Sequence, residues 1–145
     1  MLKKLILLGN SVTRENVIRN SLFVDEGDAF NEILHNKSLN RIRSRGIFEK
    51  VDSKILDGSN PNLKIVEIEV EEKATGEISA GAGFGTSGST FGFGIRENNY
   101  LGQGIKVNTN LTFSDNSVKG ELSMNNPNFK NSNNSLSTRI SSTTT

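Results

Sequence analysis

The sequence has no cysteine. That excludes disulfides, thiolate metal sites and cysteine nucleophiles. A periplasmic or secreted chain can also lack cysteine, so the compartment stays open. The single histidine, His35, cannot build a typical zinc site alone. No stretch approaches the roughly 20 apolar residues of a transmembrane helix. A membrane protein is not thereby excluded, because barrel strands are short and only half apolar. Net charge is almost absent too: 17 Lys and Arg against 16 Asp and Glu give a formal +1. No basic patch points to nucleic acid, and no acidic run suggests a tail. Only 33% of the residues are hydrophobic, yet 14 are glycine. That is a poor recipe for a water-soluble core and a good one for a barrel wall with one polar face.

What is present divides at about Gly76, where the hydrophobic rhythm changes. Before it the pattern is mixed. Met1-Leu2-Lys3-Lys4 with Leu5–Leu8 resembles a secretory leader, but four apolar residues fall short of the roughly 7–15 that a leader core needs. The stretch reads as a buried strand over 2–8, ending at Gly9-Asn10. Thr13 is expected to cap a short helix over 14–22, with Val17, Ile18 and Leu22 on its apolar stripe. Glu26-Gly27-Asp28 breaks it. Asn31 is expected to cap a second helix with Ile33, Leu34, Leu39 and Ile42 inward, ending at Gly46. Phe48, Val51, Ser53 and Ile55 alternate as a strand, Asp57–Pro61 turns, and Leu63–Val70 returns. The order is β-α-α-β-β over 1–73.

From 74 to 145 nearly every segment alternates with period two. Ile78, Ala80, Ala82 and Phe84 fall on one face; Ser79, Gly81, Gly83 and Gly85 fall on the other. Strands are expected at 77–86, 90–98, 104–114 and 117–125, with Leu136, Thr138 and Ile140 opening a fifth. Short connections make this an antiparallel meander. Four or five strands do not close a barrel, which normally takes at least about eight. The chain is therefore expected to be a piece of a longer protein carrying the start of an incomplete transmembrane β-barrel.

Few residues suggest chemistry. Gly83–Gly88 matches GxGxxG, but a strand pattern follows where a nucleotide site needs a helix N-terminus. His35 is expected at the surface. Glu67, Glu69, Glu71 and Glu72 suggest paired-carboxylate chemistry, but Glu67, Glu69 and Glu71 share one strand face and read as solvated. No Ser-His-Asp arrangement is visible. Arg41, Arg43 and Arg45 read as a solvated helix end or a patch for an anionic partner. The glycines of strand 77–86 have three readings: a bulky element packs on them, the wall bends there, or the strand is weakly held.

The same residues resemble a known family. Gly9–Thr13, Glu26-Gly27-Asp28 and Arg41–Phe48 resemble a polypeptide-transport-associated (POTRA) domain. Thr75-Gly76, Gly81–Gly85, Asn99–Gly104 and Asn126–Phe129 resemble the first barrel strands of the bacterial surface antigen family, the BamA-type outer-membrane assembly factors. The resemblance implies a POTRA domain at 1–73 and the first barrel strands at 74–145. It implies a non-enzymatic role without cofactor, metal or catalytic residues: inserting and folding other barrel proteins. Its partners would be unfolded outer-membrane proteins, accessory lipoproteins and outer-membrane lipid, with no nucleic acid. The place implied is the bacterial outer membrane, with the N-terminal domain in the periplasm. The seam that templates incoming strands would be Glu77, Ile78, Ser79, Ala80, Gly81, Ala82, Gly83 and Phe84. Glu26 matches an acidic position suited to docking, or is a solvated loop charge. Two alternatives stand beside this: a secretion transporter of the same superfamily, and a soluble POTRA-like interaction module.

Overall fold

A computed structural model describes all residues, Met1–Thr145. The chain forms two compact units, Met1–Ala74 with Leu101–Gln103, and Thr75–Tyr100 with Gly104–Thr145.

The first unit runs β1 (Leu2–Leu8), α1 (Glu15–Arg19), α2 (Glu32–Ser44), β2 (Phe48–Asp57) and β3 (Lys64–Glu72). Its sheet has the order β1-β3-β2, with β1 parallel and β2 antiparallel to β3. The central strand shows why. Val66, Ile68 and Val70 alternate with Glu67, Glu69 and Glu71, so one face is buried and the other wet. The buried face meets Val17, Ile18, Leu39, Ile42 and Phe48 in one cluster. Each fully buried side chain of this kind contributes about 1.5–3 kcal/mol.

Both helices depart from expectation in detail. Helix α1 starts at Glu15 after Arg14, not after Thr13. Thr13 instead gives its backbone N–H and hydroxyl protons to the Glu72 carboxylate, which seats it one residue ahead of the Arg14 cap position. Beyond Arg19 the chain tightens into Ser21 N–H to Ile18 and Leu22 N–H to Arg19 turns, which ends the helix early. In α2 the Asn31 cap forms as expected, its Oδ1 accepting from Leu34 N–H at 3.1 Å. The inner face is His35, Ser38, Leu39 and Ile42, an i, i+3, i+4, i+7 set. Ile33 lies off that face and is 69% exposed, against expectation. Gly46 closes the helix at φ 70°, a backbone that glycine tolerates best.

The second unit is one antiparallel sheet, in order β4 (Gly76–Gly85), β5 (Gly88–Tyr100), β6 (Ile105–Ser114), β7 (Ser117–Asn126) and β8 (Leu136–Thr144). The fifth strand runs on to Thr144, further than its apolar residues suggest, because pairing with Val118–Asn126 holds the polar end. Register keeps like with like: Ile78 pairs Ile95, Ala80 pairs Phe93, and Ala82 pairs Phe91. Phe93 pairs Leu111, Thr109 pairs Leu122, and Leu122 pairs Ile140. In an antiparallel sheet paired residues share a face. One face is therefore apolar from edge to edge.

Candidate functional site

The opposite face is polar. Glu77 lies across from Arg96 at 3.9 Å, and Arg96 Nε donates to Asn108 Oδ1 at 3.2 Å. Arg139 approaches Glu121 at 3.6 Å. Apart from Glu121 these charged groups are largely exposed, so each pair contributes under about 1 kcal/mol. Their main effect is to mark which face is wet.

The apolar face is covered by nothing in this chain. Ile78 is 82% exposed, Phe84 81% and Phe93 57%. Every buried hydrophobic residue, from Leu2 to Val70, lies in the first unit. At about 3.4 Å per residue, the eight steps from Ile105 to Phe113 cover about 27 Å; a tilt of about 40° leaves a band roughly 20 Å tall, near the ~25 Å of an outer-membrane barrel.

Strand β4 carries all eight predicted seam residues, Glu77–Phe84, and borders the sheet with β5 as its one neighbour. The hairpin fixes which atoms are free. Gly85 pairs Gly88 across the two-residue turn, and Asn98 N–H donates to the Thr75 carbonyl. Hydrogen-bonded pairs alternate in such a ladder. Odd-numbered residues of β4 therefore bond β5. Ile78, Ala80, Ala82 and Phe84 aim their N–H and C=O groups at the open edge. A Cβ at Gly81, Gly83 or Gly85 would meet nothing within 4 Å. Crowding within this chain therefore does not explain those glycines. The GxGxxG stretch is the end of β4, the turn and the start of β5, with no helix after it.

Glu26 is exposed, but one oxygen is in use: Oε1 accepts from Leu5 N–H at 2.8 Å. With Gly27 N–H to Leu2 and Leu2 N–H to Asp28, both 2.8 Å, this loop covers part of the outer edge of β1. Structure and sequence disagree on His35, which is 5% exposed rather than at the surface. It faces Ser53 of β2, Nε2 to Oγ 2.9 Å, a partner no local pattern reveals. Burial lowers its pKa, partly offset by Glu32. Of the three arginines, Arg41 lies over the Phe23 ring, 5.3 Å from its centre. Arg43 reaches the Val51 carbonyl, and Arg45 Nε donates to Ser21 Oγ at 2.7 Å. Burial, then the like charge of Arg41, pushes Arg45 down to about 10. Arg41 and Arg45 thus stay close enough to feel each other's charge, while Arg43 is committed to the Val51 carbonyl.

Glu72, weighed in the sequence beside Glu67, Glu69 and Glu71, has specific partners instead. It accepts from Ser11 Oγ at 2.9 Å, Val12 N–H at 3.0 Å and Thr13 N–H at 2.6 Å. Burial pushes its pKa up, but the bonds from Thr13, Val12 and Ser11 outweigh burial and hold it below the usual value. This tie shapes the loop after β1, where the Arg14 N–H donates to the Gly102 carbonyl at 2.8 Å.

A three-stranded β-α-α-β-β unit followed by a one-sided sheet defines a class. The family model for POTRA, surface antigen variable number repeat, matches residues 1–73. The chain belongs to this family. Over 104 residues it is 32% identical to the outer membrane protein assembly factor BamA of Neorickettsia risticii, covering 70% of this chain and 14% of that one. Over 142 residues it is 27% identical to BamA of Buchnera aphidicola, covering 95% and 23%. The crystal structure of BamA from Haemophilus ducreyi lacking POTRA domains 1–3 matches with TM-score 0.86 and 26% identity, over 98% of this chain and 27% of that one. CdiB from Acinetobacter baumannii shares the fold at TM-score 0.58 and 15% identity, over 86% and 25%. The chain thus spans between about a seventh and a quarter of these curated relatives.

Proposed function

We propose that this chain acts in the assembly of outer-membrane β-barrel proteins. Residues 1–73 serve as a periplasmic domain that meets partners or substrate. Residues 74–145 serve as the first strands of a barrel wall, apolar face to lipid. The observation that carries this is β4: a strand at the border of this chain's sheet, with one apolar face and N–H and C=O groups at Ile78, Ala80, Ala82 and Phe84 that no strand of this chain pairs. An incoming strand pairs with such an edge by main-chain hydrogen bonds. In lipid those groups have no water to turn to, so pairing is strongly favoured. Glu26 has one carboxylate oxygen left for an accessory lipoprotein. The assembly-factor relatives support this direction. The two alternatives weigh less. A secretion transporter has only a shared fold in its favour, and a soluble module would have to leave the whole apolar face in water.

The open-edge parity makes the test specific. Ala80→Pro and Ala82→Pro remove donors that face the edge and leave the β4–β5 ladder intact. In the natural polypeptide carrying residues 1–145, each should abolish insertion of other barrel proteins while the protein itself still accumulates in the membrane. Normal insertion by both variants would refute edge templating.

A further inference from the structure

The turn end of β4 carries a contact that edge templating does not by itself require. We propose that Asp115 is a positioning residue for the seam. From the β6–β7 turn its carboxylate holds the start of β5, and through β5 it fixes where the Phe84 end of β4 meets a partner strand. The inference rests on the reading of β4 as the templating edge.

Three observations carry it. Backbone pairing between β5 and β6 stops at Thr90 with Ser114. One step further on, Asp115 Oδ2 accepts from Ser89 N–H at 3.1 Å. Ladder parity explains the direction. Gly85 pairs Gly88, so the even-numbered residues of β5 bond β4, and the Ser89 N–H points away from β4 toward β6. An ionised side-chain oxygen thus stands where the next backbone carbonyl of the ladder would be.

Gly88 gives that oxygen its seat. It sits at φ 105°, a backbone that glycine adopts readily. A Cβ at this position would collide with Asp115 Oδ2. The same glycine therefore serves the β4–β5 turn and the carboxylate that reaches it.

The turn that carries Asp115 is also braced, whereas the end of β4 is not. Ser114 Oγ donates to the Ser117 carbonyl at 3.1 Å and lies 2.6 Å from Ser117 Oγ. On β4, Gly81, Gly83 and Gly85 contribute no side chain, and β5 is the one neighbour. The Phe84 end of the seam keeps its place only as well as Gly88 and Ser89 keep theirs. Ile78 lies at the other end of the strand, beside the Glu77–Arg96 pair, beyond the reach of this tie.

Site-specific cross-linking tests the positioning. The natural polypeptide carrying these residues is made with the photoreactive residue benzoylphenylalanine at position 84 or at position 78. It is placed in phosphatidylcholine–phosphatidylglycerol vesicles and illuminated while a small, initially unfolded outer-membrane barrel protein inserts. Without further substitution, both positions should cross-link the incoming chain. Asp115→Ala should cut the yield at position 84 by about threefold and leave position 78 unchanged. Asp115→Asn keeps an acceptor oxygen and should restore the yield at position 84. An unchanged yield at 84 in the Asp115→Ala variant overturns the positioning role and leaves edge templating standing. Equal losses at 84 and 78 also overturn it, because the tie acts on one end of β4. So does an Asp115→Asn variant as weak as Asp115→Ala. No cross-link at either position without further substitution overturns the templating edge, and the positioning role with it.

Discussion

The two units solve the same problem in opposite ways. In the first, Val66, Ile68 and Val70 find Ile18, Leu39 and Ile42, and water is excluded. In the second, Ile78, Phe84, Phe93 and Ile95 find no partner layer at all. Both use period-two strands. They differ in what lies opposite the apolar face: helices in one, nothing from this chain in the other. Alternation therefore announces a face but not its solvent. The solvent is decided by whether the chain supplies a covering layer.

Substitutions can break or sharpen that contrast. The largest effect belongs to the true core. Ile42→Ala should cost the first unit about 2–5 kcal/mol, read as faster hydrogen exchange across β1–β3 in the detergent-solubilised protein. Exchange in β4–β8 should not change with it. If both units loosen together, they do not stabilise separately.

Glu72→Gln comes next. Weakening a carboxylate that accepts from four donors should cost about 1–3 kcal/mol. The effect has a pH signature. The native pKa is lowered, so the stabilising contribution is full above the unfolded value of about 4.3 and is lost as pH falls through the native value. The wild-type first unit should lose stability on acidification through that window, and the variant should lose less. Parallel acid titrations of the two proteins, followed by exchange at Val12 and Thr13, measure the difference.

A smaller change of opposite sign is expected in β4. Gly83→Ala meets no atom within 4 Å, and a methyl there limits the unfolded chain. Folding stability in detergent should rise by about 0.4–1 kcal/mol. A loss instead would mean that something outside this chain occupies that face. Smallest of all is Lys50→Ala. Its ion pair with Glu71 spans 3.3 Å between side chains 69% and 60% exposed. Urea unfolding should move by less than about 0.5 kcal/mol.

The strands were legible because period two is local: each of β4 to β7 could be drawn from its own residues. Helix α2 was legible through Asn31 and Gly46 for the same reason. What escaped depends on distant partners. Thr13 resembles an N-cap until Glu72, far along the chain, holds it one residue short of the cap position. His35 resembles a surface residue until β2 brings Ser53 to it. The seam residues were proposed through the family resemblance. Which of them turn their polar backbone atoms outward followed only from the Gly85–Gly88 register.

That register also sets a counting rule. In β4 the residues with apolar side chains are the same ones whose amides face the open edge. A strand laid against this edge can slide by two residues and keep its faces, but a slide of one turns every side chain over. Each Lys or Arg then driven into mid-hydrocarbon would cost about 2–4 kcal/mol. An edge built this way measures a partner in steps of two, and a partner with the wrong parity is ejected by the solvent rather than by any residue of the protein.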